Sequence, residues 1–170
     1  HHLDKAHHHY QLGNIFFQQG KLPMALECYQ KALERDPDDI DIRSHLGQCL
    51  LRLNRPAEAL PLLEKVCAED PKHEYGHTLM ALAETYTASK NTEAAIQTWQ
   101  RVLEQNGYAR ARVQLAELHL AKRQNDLARS ILEEVIADDL NAPDFQRKRD
   151  RIWVKRARRL FRPLRDLIID

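Results

Sequence analysis

The sequence predicts an all-α fold: an array of four helical hairpins followed by a basic C-terminal helix. Three observations carry that expectation. Turn formers are scarce, with 5 Gly and 7 Pro in 170 residues and only 6% aromatics, which favours a few long helices over a many-stranded sheet. One set of residue columns recurs four times, at intervals of 34, 36 and 33. Charge is divided along the chain: residues 146–170 carry ten Lys/Arg and three Asp, a balance of +7, and residues 1–145 balance at −6. An acidic body with a basic tail points to two surfaces with different duties.

The columns define the hairpins. Leu12-Gly13 falls on Leu46-Gly47, Leu82-Ala83 and Leu115-Ala116, and Phe16 falls on Leu50, Tyr86 and His119. Spaced i, i+1 and i+4, these residues put one apolar stripe on a first helix. The Gly/Ala column leaves room for a second helix to approach. Ala25, Ala59, Ala95 and Ala128 begin that second stripe; Tyr29, Leu63, Trp99 and Leu132 continue it; Ala32, Val66, Val102 and Val135 complete it. Gly20, Asn54 and Asn91 mark the tight turns between the two helices. No hairpin could bury both stripes alone, whereas four stacked ones could. The expected helices are 6–19, 22–35, 40–53, 56–69, 76–89, 92–105, 109–122 and 125–138. A ninth follows Pro143, over 144–161. Pro61 should kink the fourth helix and Pro163 should bend or end the ninth.

These residues resemble the tetratricopeptide repeat family, whose pattern is Trp-x2-Leu-Gly-x2-Tyr, then Ala-x3-Phe, then Pro, at a period of 34. The resemblance covers about 6–140. The Trp column holds His9, Arg43, Leu79 and Arg112; the closing Pro is present only as Pro37 and Pro71; two extra residues fall near His73 and Glu74. The expected organisation is a disordered or tag-derived segment 1–5, repeat units 6–39, 40–73, 76–108 and 109–142, and a basic amphipathic capping helix within 143–170. His1-His2 read as the remnant of a purification tag.

The resemblance implies a right-handed superhelix whose first helices line a concave face. At i, i+4, i+7 the lining reads Tyr10, Asn14 and Phe17; Ser44, Gln48 and Leu51; Met80, Glu84 and Thr87; Val113, Glu117 and Leu120. That mixture suits an extended peptide: amides for its backbone, apolar groups for its side chains, and two acids for a basic residue. The competing reading is that Phe17, Leu51 and Leu120 pack between neighbouring helices. Some family members clamp a chaperone's C-terminal carboxylate with Lys and Asn residues. Here Asn14 is present, but Tyr10, Gln48, His77 and Ala81 occupy the other clamp positions, so that clamp is absent.

In the tail, Trp153, Ala157, Leu160, Phe161, Leu164 and Ile168 form an apolar face, and Arg147, Arg151, Lys155, Arg158, Arg159 and Arg162 a basic one. The apolar face can cap the array over Leu132 and Val135. The excess of basic residues suggests an anionic partner: an acidic protein surface, an anionic membrane surface, or a second copy of this chain. One further option is the chain's own groove near Glu84 and Glu117. Nucleic acid is disfavoured, since only Trp153 lies among the basic residues for base stacking.

The expected function is therefore a protein–protein interaction adaptor or scaffold that holds a partner's peptide segment. The alternative is an anchoring module acting through its basic helix. No phosphate loop, nucleophile motif or paired-carboxylate arrangement points to an enzyme, and no cofactor is expected. Adjacent His7, His8 and His9 point different ways on a helix and do not read as a metal site. Cys28, Cys49 and Cys67 lack CxxC spacing and read as small core hydrophobes, which fits a reducing, cytoplasmic location. No apolar run approaches the roughly 18 residues of a membrane span, although association through a segment outside this sequence stays open.

Overall fold

The computed structural model describes residues 2–168, with side chains from Asp4 to Leu167. Among the described residues the secondary structure is helical throughout: α1 (His2–Gln18), α2 (Leu22–Arg35), α3 (Ile40–Arg52), α4 (Pro56–Glu69), α5 (His77–Ala88), α6 (Thr92–Gln105), α7 (Ala109–Ala121), α8 (Asn125–Leu140) and α9 (Asp144–Arg165). Short 3-10 turns occupy His73–Gly76 and Asp166–Ile168. Three helices, α2, α4 and α6, fall on the expected bounds. Two differ more. α1 begins at His2, within the segment expected to be disordered. α9 runs on through Pro163 to Arg165, where burial of Leu164 keeps the last turn on the protein. The helix assignment of α4 is likewise unbroken across Pro61. The expected tag role of His1 and the side chain of Ile168 lie outside the described residues.

The chain forms two compact units, 1–95 and 96–170. In the first, α1 pairs with α2, α3 packs on α2 and α4, and α5 packs on α4. In the second, α7 pairs with α8, and α9 lies against both. The repeated columns become the cores of these units. Ala25, Tyr29, Ala32, Ala59, Leu63 and Val66 are fully buried in the first; Trp99, Val102, Ala128 and Leu132 are fully buried in the second. Cys28, Cys49 and Cys67 are buried free thiols. The Trp column has acquired a different task at Arg43. Its guanidinium is buried, donating to the Pro37 carbonyl at 2.8 Å and to Glu69 Oε1 at 3.4 Å, and so ties α3 to the preceding connection and to α4.

The intra-hairpin turns each need one left-handed residue. Gly20 (φ 74°) and Asn54 (φ 59°) supply it in the first two hairpins, as expected. In the third, Lys90 (φ 60°) takes that role rather than Asn91, and in the fourth Arg123 (φ 60°) takes it. Asn91 sits one residue later and caps α6, its Oδ1 accepting from the Ala94 N–H at 3.3 Å. Left-handed backbone costs a side-chain-bearing residue roughly 1–2 kcal/mol, partly offset in glycine by its greater unfolded-state entropy. Lys90→Gly and Arg123→Gly, both exposed positions, should therefore each stabilise the chain by up to about 1 kcal/mol, read from urea midpoints at unchanged slope.

Candidate interaction face

In the first unit α1, α3 and α5 share one face, and side chains connect them across it. Tyr10 Oη lies 3.1 Å from His45 Nδ1, with the two rings edge-on at 5.3 Å. Tyr29, fully buried on α2, donates through Oη to Asn14 Oδ1 at 2.6 Å. The Arg52 guanidinium covers the Phe17 ring at 4.4 Å, a cation–π contact from α3 to α1. Ser44 Oγ meets Thr78 Oγ1 at 2.8 Å, joining α3 to α5, and Gln48 Nε2 donates back to Ser44 Oγ at 3.0 Å. The last bond fixes the Gln48 amide and leaves its oxygen as an acceptor.

The expected lining residues in this unit separate into two groups. Tyr10, Asn14, Phe17, Gln48, Leu51 and Glu84 are half-buried, and Thr87 is exposed with its hydroxyl on the Ala83 carbonyl at 3.0 Å. Ser44 and Met80 are buried, so they support the face from beneath and do not line it. His45 and Arg52 belong to the face and were missed. Their signal is the residue next to each predicted position, since a helix presents flanking residues as well as the i, i+4, i+7 row.

The second unit differs from expectation. Val113 is fully buried, and it shares a core cluster with Val154, Ala157 and Leu164 of α9, against which Leu120 also packs. Glu117 is ion-paired with Arg156. α9 thus covers the α7 residues expected to line a groove, as well as Leu132 and Val135 of α8. Its buried residues are Val154, Ala157 and Leu164, of which the apolar row had omitted Val154; Trp153 is half-buried beneath the guanidinium groups of Arg156 and Arg110, at 5.4 and 5.9 Å from its ring. Arg147, Arg151, Lys155, Arg158, Arg159 and Arg162 are all exposed. They border a cleft of about 940 Å³. Asp139 stands at its edge, 4.0 Å from Arg147 and 3.5 Å from Arg158.

Burial raises the pKa of several groups at or beneath the first-unit face, Tyr29 among them. It pushes the Tyr10 phenol up to about 12 and the Cys49 thiol up to about 11. Their neutral forms belong to the folded state. The stability they confer is complete below about pH 7.5, where even the unfolded thiol stays protonated, and is lost as pH rises from about 8.5 toward 11–12, Cys49 contributing first and Tyr10 later. Alkaline titration of the urea midpoint should show that loss, and Tyr10→Phe should shrink it.

With this geometry described, comparison with known proteins is informative. A tetratricopeptide repeat profile matches residues 16–83, 51–107 and 86–152, most of the chain. The chain belongs to the tetratricopeptide repeat family. It is similar to the Hsp70-Hsp90 organizing protein of Triticum aestivum, at 32% identity over 88 residues, covering 52% of this chain and 15% of that protein. In fold it resembles residues 41 to the end of MamA from Desulfovibrio magneticus RS-1, with TM-score 0.77 and 20% identity over 82% of this chain and 78% of that one. It also resembles the first repeat domain of Spaghetti (RPAP3) bound to the HSP90 peptide SRMEEVD, with TM-score 0.65 and 24% identity over 71% of this chain and 95% of that one. No helix among the described residues is long and apolar enough to cross a membrane.

Proposed function

We propose that the chain is a protein–protein interaction module, and that the α1–α3–α5 face of its first unit holds an extended segment of a partner. Family membership and the peptide-bound neighbour support the interaction role. The observation that carries the finer reading is the half-buried row Asn14, Phe17, Gln48, Leu51 and Glu84, whose amides are set by Tyr29 and Ser44 before any ligand arrives. Preset amides bind peptide backbone at a lower ordering cost. With Tyr10 bonded to His45 and Ala81 buried at former clamp positions, the favoured segment is one with apolar residues and a basic residue near Glu84, rather than a C-terminal acidic tail. The role involves no catalysis.

The test is selection of peptides from a random display library on the immobilised chain, followed by affinity measurement against Gln48→Ala, Leu51→Ala and Glu84→Gln. Peptides that lose affinity about tenfold or more in these variants support the face. Selected peptides indifferent to all three would count against it. Asn14→Ala is a poorer probe, because it removes the acceptor of the buried Tyr29 hydroxyl.

A second reading rests on the cleft beside α9 and its row of exposed Arg and Lys. It makes that row a docking site for an anionic surface. Binding of this kind should fall steeply with salt and disappear in Arg151→Gln/Lys155→Gln/Arg159→Gln, whereas face binding should survive both.

A further inference from the structure

Beside the interaction face, at the junction of α3 with the 3-10 turn His73–Gly76, two imidazoles and two carboxylates converge. His73 Nε2 lies 2.6 Å from Asp41 Oδ1, and His45 Nε2 lies 3.5 Å from Glu74 Oε1. The ligand atoms of Asp41, His73 and Glu74 all lie within 4.8 Å of one another. Each imidazole is anchored through its other nitrogen. His45 Nδ1 is 2.9 Å from the Asp41 carbonyl oxygen, which can only accept, so Nδ1 carries the proton and Nε2 keeps its lone pair in the neutral ring. That nitrogen faces the Glu74 carboxylate oxygen, and either a proton on Nε2 or a bound cation joins the two. His73 Nδ1 lies 2.6 Å from Thr78 Oγ1, itself 2.8 Å from Ser44 Oγ. At 2.6 Å the His73 Nε2–H donates to Asp41 Oδ1, so a metal would displace that proton, and rotation of the hydroxyls then lets Thr78 accept from Nδ1–H.

We propose that Asp41, His45, His73 and Glu74 form a binding site for a divalent transition-metal ion of the zinc class. Imidazole donors backed by oxygen acceptors are the arrangement that orients metal-binding histidines, and two nitrogens with two carboxylates favour zinc over calcium or magnesium. Tetrahedral zinc wants donor atoms about 3.3 Å apart. Asp41, His73 and Glu74 hold their ligand atoms within 4.8 Å and His45 Nε2 is 3.5 Å from Glu74, so closing on an ion requires Glu74 and Asp41, both at least partly open to solvent, to rotate. His73, by contrast, is buried and fixed. Glu74 and Tyr75 are both left-handed (φ 51° and 57°), a costly backbone for side-chain-bearing residues, and it is this turn that brings Glu74 to the cluster. The ion would pin the inserted turn to α3, beside Tyr10 and Gln48.

The N-terminal histidines also attract metals, so the test uses the full chain in a background with His1, His2, His7, His8 and His9 changed to Gln. After chelation, the chain is titrated with Zn²⁺ alone by calorimetry and with Co²⁺ alone by visible absorption. The expected result is one zinc per chain, a cobalt d–d spectrum, and a melting temperature raised by zinc. His45→Gln, His73→Gln and Glu74→Gln should each weaken zinc at least tenfold and erase the cobalt bands. Thr78→Val should weaken zinc by roughly 10–100-fold. Should buried His73→Gln fail to fold by circular dichroism, the more exposed His45→Gln and Glu74→Gln decide. No stoichiometric zinc in the background chain, or equal affinity in His45→Gln and Glu74→Gln, would overturn the proposal.

Discussion

Val154→Asp destabilises the second unit by about 3–5 kcal/mol, the range for an uncompensated buried charge. Val154 is 5% exposed, and it lies in one cluster with Val113, Ala116, Leu132 and Ala157. A carboxylate there would lose its water inside the apolar cluster, and Arg151 and Arg158, which line the same cleft as Val154, would offset only part of that loss. α9 would have to leave the surface of α7 and α8, uncovering Val113 and Val135. Three changes on the opposite face of the same helix, Arg151→Gln, Lys155→Gln and Arg159→Gln, should together shift stability by only about 0.5 kcal/mol. Both tryptophans of the chain, Trp99 and Trp153, fall in residues 96–170. Their fluorescence during urea unfolding therefore reports this unit. An unchanged midpoint in Val154→Asp would show that α9 is not part of the core. The same reasoning discourages truncation at Ala142 as a probe of the basic residues, because it removes the covering apolar face along with the charge.

Gly47→Val should cost the first unit about 3 kcal/mol, and Gly47→Ala about 1–2 kcal/mol. A Cβ at Gly47 would sit 2.7 Å from Leu63 Cγ and 2.8 Å from its Cδ2. Leu63 is fully buried and cannot swing away. Alanine recovers about 1 kcal/mol of helix propensity relative to glycine, so overpacking and propensity oppose each other, and the branched contact decides. The coupling is measurable: in a double-mutant cycle with Leu63→Ala, the combined loss should fall short of the sum by at least about 1 kcal/mol. The fourth hairpin shows the alternative solution, with Ala116 and Leu132 packed in one cluster. Additive losses would mean that Gly47 does not set the approach of α3 and α4.

Much of this fold was legible because a repeat states its core four times. The columns through Ala25, Tyr29 and Ala32 and their three echoes named most of the buried residues, since a helical stripe depends on spacing alone. Legibility ended where one position could serve two purposes. Asn91 carries the usual left-handed signal, yet Lys90 bends the chain and Asn91 caps the next helix. Val113 and Glu117 were expected to line an open groove; periodicity identifies a face of α7 without identifying its occupant, and α9 is that occupant. Ser44 and Met80 follow the same row as Gln48 and Glu84 and differ from them only in depth. Asp41 and His45 stand at an i, i+4 spacing that the sequence reading did not single out. Their meeting with His73 and Glu74 depends on two left-handed residues in an insertion that has no counterpart in the other units.

The central claim is that a partner's peptide lies on α1, α3 and α5 of the first unit. Amide and side-chain NMR spectra of the labelled chain, recorded while a display-selected peptide is titrated in, test it most directly. The predicted result is saturable shifts at the side-chain amides of Asn14 and Gln48 and at the backbone of Phe17, Leu51 and Glu84, with residues 144–165 unmoved. Shifts confined to α9, or none at the face while the peptide binds, would contradict it.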